Sequence, residues 1–413
     1  MSRLHIAFVL ELYQPPTQGR ETLERITKEC YLPLARLLVA EPRLRVTLSF
    51  TASLIERLET WGLGDALIGA VAEAVSRGDV ELAHSGAYHS VFPLLSDREV
   101  RRQIALDRES KDRIFGPTEP RGILPPELCY DDRLLPLFRD LGFRWTLVDD
   151  KLLCRFGIPI LASEVYRIQG LSVLLRSGFW SDHLRHPRAA GGHWTGRDFA
   201  EVMAREALGL QRDAYKVLML PGETFGHHIP YFQETFLRDF LYALSDHPDL
   251  CLSTASELLD GERFAQISPP PASQNGFDAL PPSSLSTQVE DWDRGDPYPH
   301  FRSRGNPIHQ GLWRLTRLIL RVTDRLRLDR PELQRLRGLL DPAFYSGQYY
   351  HASLWFWDEG PVLEGLDRQM RVLYEYARVT GDSQPLRLGQ RIYRRILREV
   401  HRRRQTGTKK EAI

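Results

Sequence analysis

The stretch "KVLMLPGETFGHHIP", residues 216–230, shows the pattern on which the fold prediction rests. An apolar run from Val217 to Leu220 stops at Pro221, and Glu223 and two histidines follow around two glycines. Valine and leucine followed by proline and glycine are typical of a β-strand that ends in a turn. Polar side chains directly after such a strand suggest a site at the end of a sheet.

The same pattern recurs through the first 262 residues, where short apolar runs alternate with longer amphipathic segments. Strands are predicted at 5–10, 45–50, 80–84, 122–124, 144–148, 172–175 and 216–220. Helical spacing of apolar residues predicts helices at 20–40, 97–114 and 196–211. Alternating strands and helices indicate an α/β fold with a mostly parallel sheet, open or closed into a barrel. Ligands bind at the C-terminal strand ends in both arrangements.

The second part of the chain has a different composition. The segment 268–287 is rich in proline and serine, which is typical of a linker or a long loop. Helices are predicted after it, at 309–322, 330–340, 361–380 and 384–404. We therefore expect a barrel or sheet domain (1–262), a linker and cleft loop (263–305), a helical domain (306–405) and a basic tail (406–413). The last helix is rich in arginine, and we interpret it as a solvated face rather than a nucleic-acid site.

Composition restricts the class of protein. The net charge of +1 over 413 residues gives no reason to expect a polyanionic partner. The four cysteines form no metal-ligand or CxxC spacing, so a reduced, cytoplasmic protein is expected. The first apolar stretch is predicted to be a strand rather than a signal peptide, and no segment is long enough to span a membrane. The oligomeric state stays open.

Several predicted strands are followed by polar side chains that are candidates for one site. Glu11 and Tyr13 share a face of the first strand because side chains alternate along it. His89 follows the third strand, and Glu127 follows the fourth behind two prolines that stiffen its approach. Taken alone, a glutamate after a strand is equally typical of a helix N-terminus. The candidates are therefore considered together, as a group at one edge of the sheet.

Four motifs resemble those of the family 57 glycoside hydrolases, which act on α-glucans as amylases, glucanotransferases and branching enzymes. They are "YQPP" (13–16), "GAYHSVFPL" (86–94), "PPELCYDDRLL" (125–135) and "RSGFWSD" (176–182). Segments 284–309 and 346–353 are similar to the helical half of family members. The resemblance implies a distorted seven-stranded (β/α) barrel followed by a helical domain, with Glu127 as the catalytic nucleophile. The residues expected to bind the saccharide substrate are Tyr13, Gln14, His84, His89, Asp182, Glu223 and His227.

The sequence departs from the family pattern at the catalytic acid/base. The motif similar to residues 221–226 begins with an aspartate in the family, and Pro221 stands in its place. A further family motif, His-x-His-Gln-Pro, has Glu11 and Tyr13 instead of its two histidines. Because proline has no ionisable group, an active enzyme needs another carboxylate. Glu11 is the preferred candidate, with Glu223 and Asp182 as alternatives.

Three functions are compatible with these observations. The first is a retaining glycoside hydrolase or transglycosylase with a relocated acid/base. The second is a catalytically inactive carbohydrate-binding or regulatory protein of the same fold. The third is a metal-dependent carbohydrate deacetylase using histidines such as His84, His89, His227 and His228, but the spacing of these residues does not favour a zinc site. No metal or other cofactor is expected.

Overall fold

A computed structural model describes residues 2–186, 194–269, 280–327 and 330–406. The described residues form ten strands in one sheet. The strands are β1 (Leu4–Leu12), β2 (Val46–Phe50), β3 (Val80–Ala83), β4 (Gly122–Ile123), β5 (Trp145–Asp149), β6 (Glu164–Ile168), β7 (Leu171–Arg176), β8 (Ala214–Pro221), β9 (Leu250–Leu252) and β10 (Ala265–Ile267).

Seven of these strands form a parallel barrel in the order β1-β2-β3-β4-β5-β7-β8. A bridge between His84 and Ile123 joins β3 to β4, and β7 meets β8 through the pair Arg176 and Val217. Strand β6 pairs antiparallel with β7 outside the barrel and itself carries β10. The expected distorted seven-stranded barrel is therefore confirmed, and each of its strands lies where the sequence predicted one.

Helices cover the barrel and make up the rest of the chain. The α-helices are α1 (Arg20–Ile26), α2 (Leu32–Ala40), α3 (Ala52–Trp61), α4 (Asp65–Ser76), α5 (Asp97–Phe115), α6 (Leu134–Asp140), α7 (Gly178–Arg185), α8 (Gly196–Ala207), α9 (Asp239–Ala243), α10 (Val289–Asp293), α11 (Pro307–Thr323), α12 (Gln334–Leu340), α13 (Gly347–Tyr350), α14 (Glu359–Thr380) and α15 (Gln384–Thr406). Two π-helices, Thr27–Tyr31 and Gln233–Arg238, continue into α2 and α9. Short 3₁₀ turns include Pro126–Leu128, Gly222–Thr224 and Asp341–Phe344.

Side-chain alternation along the strands decides which residues face the barrel interior. On β1, Ala7 and Val9 belong to the inner core, whereas Ile6, Phe8 and Leu10 pack outward against helices. Glu11 has the phase of Ala7 and Val9 and therefore extends the inward row to the C-terminal mouth of the barrel. The mouth of a parallel barrel is where such folds place their sites.

The helical region packs against the barrel rather than standing apart from it. One hydrophobic core contains residues of β5 and β7 together with residues of α11, α12 and α14. Part of the predicted linker is also ordered against the barrel. The amide of Leu285 donates to the carbonyl of Glu127 at 3.0 Å, and Ser283 forms a bridge with Tyr130. Residues 270–279 of that segment, and 407–413 of the predicted basic tail, lie outside the described residues. The domain limits remain a prediction.

Candidate active site

Glu11, His89 and Glu127 meet at the mouth of the barrel. The Oε1 atom of Glu11 lies 3.1 Å from Nε2 of His89. The other ring nitrogen of His89, Nδ1, lies 3.9 Å from Oε1 of Glu127. The side chains of Glu11 and Glu127 are 12% and 27% exposed, whereas that of His89 is only 1% exposed. Two solvent-accessible carboxylates thus flank one buried imidazole ring.

His89 is held in place by contacts from both halves of the chain. Its Nδ1 atom is 2.8 Å from the hydroxyl of Ser346, and the amide of Ser346 donates to the carbonyl of His89 at 3.1 Å. The ring stacks on Tyr13 with 3.9 Å between ring centroids and an interplanar angle of 16°. The backbone of His89 has a φ of 55°, which is uncommon for a residue other than glycine. These contacts stabilise one orientation of the ring.

Glu127 lies on a strained turn directly after β4. Glu127 has φ 59° and Leu128 has φ 45°, so two successive residues other than glycine adopt left-handed conformations. Pro125 and Pro126 fix the approach to this turn, as the sequence indicated. Such strain persists only where the surroundings over-determine the conformation, and it clusters at functional sites. The turn aims the carboxylate toward His89.

The three groups influence each other's protonation. Burial raises the pKa of Glu127, and the nearby Glu11 charge adds to this effect, while His89 opposes it. Burial alone would lower the pKa of His89, but Glu11, Glu127 and Glu223 outweigh it and the pKa of His89 is raised. A proton on His89 is therefore stabilised by carboxylates on either side.

The stretch that contains Pro221 runs beside Glu11. Pro221 is the register partner of Glu11 between the adjacent parallel strands β8 and β1. Met219, two residues earlier on β8, faces the barrel interior, so position 221 has the same inward phase as Glu11. Pro221, which the motif resemblance places opposite the family's aspartate, is therefore next to Glu11.

Glu223 forms a buried network behind this pair. Its Oε1 atom accepts hydrogen bonds from the hydroxyl of Tyr31 at 2.5 Å and from the side-chain amide of Gln14 at 3.1 Å. Burial raises the pKa of Glu223 to about 7, although the hydrogen bonds from Tyr31 and Gln14 oppose the rise. Tyr31 lies in the π-helix 27–31, and π-helical turns are frequent at functional sites. Both predicted residues, Gln14 and Glu223, thus lie close to Glu11.

Asp182 belongs to a separate ion-pair group at the mouth. Arg176 contacts Asp182 at 2.7 Å and Asp149 at 2.5 Å, and Lys151 contacts Asp182 at 2.9 Å. Burial would raise the pKa of Asp182, but the cations Arg176 and Lys151 outweigh it, so this pKa is lowered. A carboxylate held ionised by two cations is poorly suited to donate a proton.

The structure does not bring His84 and His227 into this group. His84 has the outward phase of Leu82 on the third strand, and its Nδ1 atom lies 3.3 Å from Asp107 in a fully buried cluster with Lys111. His227 contacts Glu29 at 2.5 Å near the protein surface. The alternation along β3 already favoured an outward His84, because Val80 and Leu82 share its phase.

Two contributors were not predicted as site residues, namely Tyr31 and Ser346. Tyr31 lies inside a segment predicted simply as a helix, and its register toward Glu223 depends on the π-helical turn. Ser346 is 257 residues from His89 along the chain, and only the docking of the helical region brings them together. Its one sequence signal is that it begins the segment 346–353, which resembles the helical half of family members.

Within the described ranges, no group of three histidine, cysteine, aspartate or glutamate side chains is placed to hold a metal ion. No helix among the described residues is long and apolar enough to cross a bilayer.

Comparison with known proteins shows partial likeness to glucan enzymes. An α-amylase of Pyrococcus horikoshii is 24% identical over 150 residues, which is 36% of this chain and 23% of the amylase. The α-amylase of Pyrococcus furiosus is 24% identical over 148 residues, which is 36% of this chain and 22% of that amylase. The chain therefore matches less than a quarter of the length of these curated relatives.

Solved structures show the same fold over almost the whole chain. The 4-α-glucanotransferase of Thermococcus litoralis superposes with a TM-score of 0.68 at 16% identity, covering 92% of this chain and 60% of that one. A GH57-type branching enzyme of Pyrococcus horikoshii superposes with a TM-score of 0.66 at 18% identity, covering 95% of this chain and 94% of that one. At these identities, the likeness establishes the fold.

The model of glycosyl hydrolase family 57 matches residues 7–270, from β1 to just beyond β10. The matched region covers most of the chain and contains the barrel, except for the first three residues of β1, together with both carboxylates of the site. The chain belongs to glycosyl hydrolase family 57.

Proposed function

We propose that the protein is a retaining glycoside hydrolase or transglycosylase that acts on α-glucan-type oligosaccharides or polysaccharides. In this proposal, Glu127 is the nucleophile and Glu11 is the general acid/base. The observation that supports it best is the register of Glu11 with Pro221. In this proposal Pro221 of β8 takes the place of the family's aspartate, and Glu11 supplies a carboxylate at the same mouth from the adjacent strand.

The proposed reaction has two steps, as in retaining glycosidases generally. Glu127 attacks the anomeric carbon while Glu11 protonates the oxygen of the departing sugar, so a glycosyl ester forms on Glu127. Glu11, now ionised, then takes a proton from water or from an acceptor hydroxyl, which attacks the ester and releases Glu127. Each carboxylate ends the cycle in its starting state.

His89 has a positioning role in this scheme. It touches Glu11 at 3.1 Å through Nε2, and Ser346 engages the opposite ring nitrogen. A proton on His89 neutralises part of the charge that two nearby carboxylates would otherwise place at the mouth.

The substrate class is supported by the names of similar proteins. They include an α-amylase, a 4-α-glucanotransferase and a branching enzyme. Because fold alone does not decide function, the choice between hydrolysis and transfer is left to experiment.

The test compares wild type, Glu127→Gln and Glu11→Gln on two kinds of substrate. Glucans have poor leaving groups, whereas activated aryl glycosides need little acid assistance. Glu127→Gln is expected to abolish turnover of both. Glu11→Gln is expected to slow glucans by about 10²- to 10⁴-fold and to spare the first step with the aryl glycoside, with recovery on adding azide. The anomeric configuration of the first product, followed by NMR, tests retention.

Two results would overturn the proposal. If wild type binds glucan without turning over any substrate, the protein is a binding member of the family. If Glu11→Gln keeps full glucan activity while Glu223→Gln or Asp182→Asn loses it, the acid/base lies at that other residue.

A further inference from the structure

A cavity of about 470 Å³ lies away from the barrel mouth, between α5 of the barrel and the helical region. Arg98, Glu99 and Arg102 of α5 form one side of it, and the end of α11 and helix α12 form the other. Arg327 and Arg337 project into it from the helical side. The volume is in the range of small-molecule sites.

Positive charge dominates this cavity. Four arginines line it, whereas its acidic lining residues are Glu99 and Asp324. Burial raises the pKa of Glu99, although the neighbouring Arg102 opposes the rise. Burial lowers the pKa of Arg102, and although Glu99 opposes this, the neighbouring cations Arg337 and Arg98 lower it further. Crowded guanidinium groups are stabilised by an anion that several of them can share.

We propose that this cavity binds a phosphate monoester carried on a group of sugar size. Planar guanidinium groups match phosphate oxygens in pairs. Arg98 and Arg337 line the cavity from partly exposed positions, where each pairs with an aspartate, Asp324 and Asp341 respectively. A bare phosphate would fill only a small part of the volume. The remaining space suits a polar ring such as a hexose.

The cavity is connected to the active site by direct contacts. Arg102 pairs with Asp341, and Asp341 begins the 3₁₀ turn Asp341–Phe344 that leads directly to Ser346. Gln103 of α5 donates to the carbonyl of Asp341 at 3.1 Å and accepts from the amide of Tyr88 at 3.2 Å. Tyr88 precedes His89. An anion that draws Arg102 away from Asp341 therefore acts on both supports of His89.

Binding is tested by isothermal titration calorimetry with three probes: glucose 1-phosphate, inorganic phosphate and glucose. Glucose 1-phosphate is expected to bind most tightly, and glucose is not expected to bind. The double variant Arg98→Gln/Arg337→Gln should weaken binding by about 10- to 100-fold, because two charge-assisted contacts are lost from exposed positions. The matched control is Arg371→Gln/Arg394→Gln, which neutralises two arginines of another cavity, between α14 and α15. This control should bind like wild type.

Several outcomes would contradict the proposal. The proposed site is refuted if wild type does not bind glucose 1-phosphate at millimolar concentration, or if both double variants lose the same amount of affinity for it. If inorganic phosphate binds as tightly as glucose 1-phosphate, the proposal that the ligand carries a sugar-sized group is refuted. An effect of glucose 1-phosphate on turnover depends on the proposed function, whereas its binding does not. Glu127→Gln should therefore still bind glucose 1-phosphate. Tight binding with no change in aryl glycoside turnover would refute the connection to His89.

Discussion

Returning an aspartate to position 221 offers a direct test of where the acid/base lies. Adjacent strands are about 4.8 Å apart, so an aspartate at 221 would stand roughly one strand spacing from Glu11 on the same inward face. Removing the acid with Glu11→Gln should cost about 10²- to 10⁴-fold in glucan turnover, or about 3–5 kcal/mol in activation free energy. The double variant Glu11→Gln/Pro221→Asp restores one carboxylate at the mouth.

Recovery in the double variant should be partial. A displacement of about 1 Å in a reacting group can cost about 10²-fold, so we expect a gain of about 10- to 10²-fold over Glu11→Gln rather than wild-type activity. The single variant Pro221→Asp places two carboxylates about 5 Å apart, and their repulsion is about 3 kcal/mol at an effective dielectric constant of about 20. One of the two should therefore remain protonated to higher pH, and the pH–rate profile should shift upward.

The assay is the initial rate on a maltooligosaccharide and on an activated aryl glycoside across pH, for all four proteins. The ratio between the two substrates reports acid assistance, because the aryl glycoside needs little of it. A double variant no faster than Glu11→Gln would weaken the assignment. Unchanged glucan activity in Glu11→Gln would refute it outright.

Three further predictions concern stability. Gly196→Ala should lower the free energy of unfolding, measured in urea, by more than about 1 kcal/mol, because the new Cβ would lie 2.0 Å from a backbone nitrogen of α9. The control Gly69→Ala has open space around the new Cβ and should be neutral or stabilising. Equal effects of the two substitutions would contradict the close packing at Gly196. Glu223 holds its proton in the folded protein up to a pKa of about 7 against an ordinary value of 4.5, so stability should fall as pH rises from about 4.5 to 7, by up to about 3 kcal/mol. Glu223→Gln should flatten this dependence, and an identical slope in both proteins would refute the burial argument. Lys111→Met should lower the free energy of unfolding by about 3–5 kcal/mol, because it leaves Asp107 charged and buried without its partner. Adding Asp107→Leu should recover part of that loss. If Lys111→Met does not change stability, the pair is not charged.

The barrel was predictable because its signals are local. Each predicted strand has its own run of branched or large apolar residues bounded by proline, glycine or polar residues, and all seven positions hold in the structure. Strands β6, β9 and β10 were not predicted; all three lie outside the seven-stranded barrel. The predicted helix at 330–340 is a 3₁₀ turn, Pro331–Leu333, followed by α12.

The site was only partly predictable, for reasons of distance along the chain. Alternation along β1 was enough to place Glu11 and Tyr13 on one face, and the prolines before Glu127 indicated a stiff approach to it, but the left-handed turn at Glu127 and Leu128 was not predicted. His84 was proposed by proximity to a strand end, although its phase on β3 directs it to Asp107. The contact between His89 and Ser346 spans 257 residues, and no local pattern encodes such a pairing.

That long separation also has a consequence for biosynthesis. The barrel emerges from the ribosome well before Ser346, and at about 5–20 residues per second the delay between His89 and Ser346 is about 10–50 s. During this interval Glu11, His89 and Glu127 have all been synthesised, but the imidazole lacks its partner from the helical region. The nascent protein would therefore hold an incomplete site until the segment that carries Ser346 has been made.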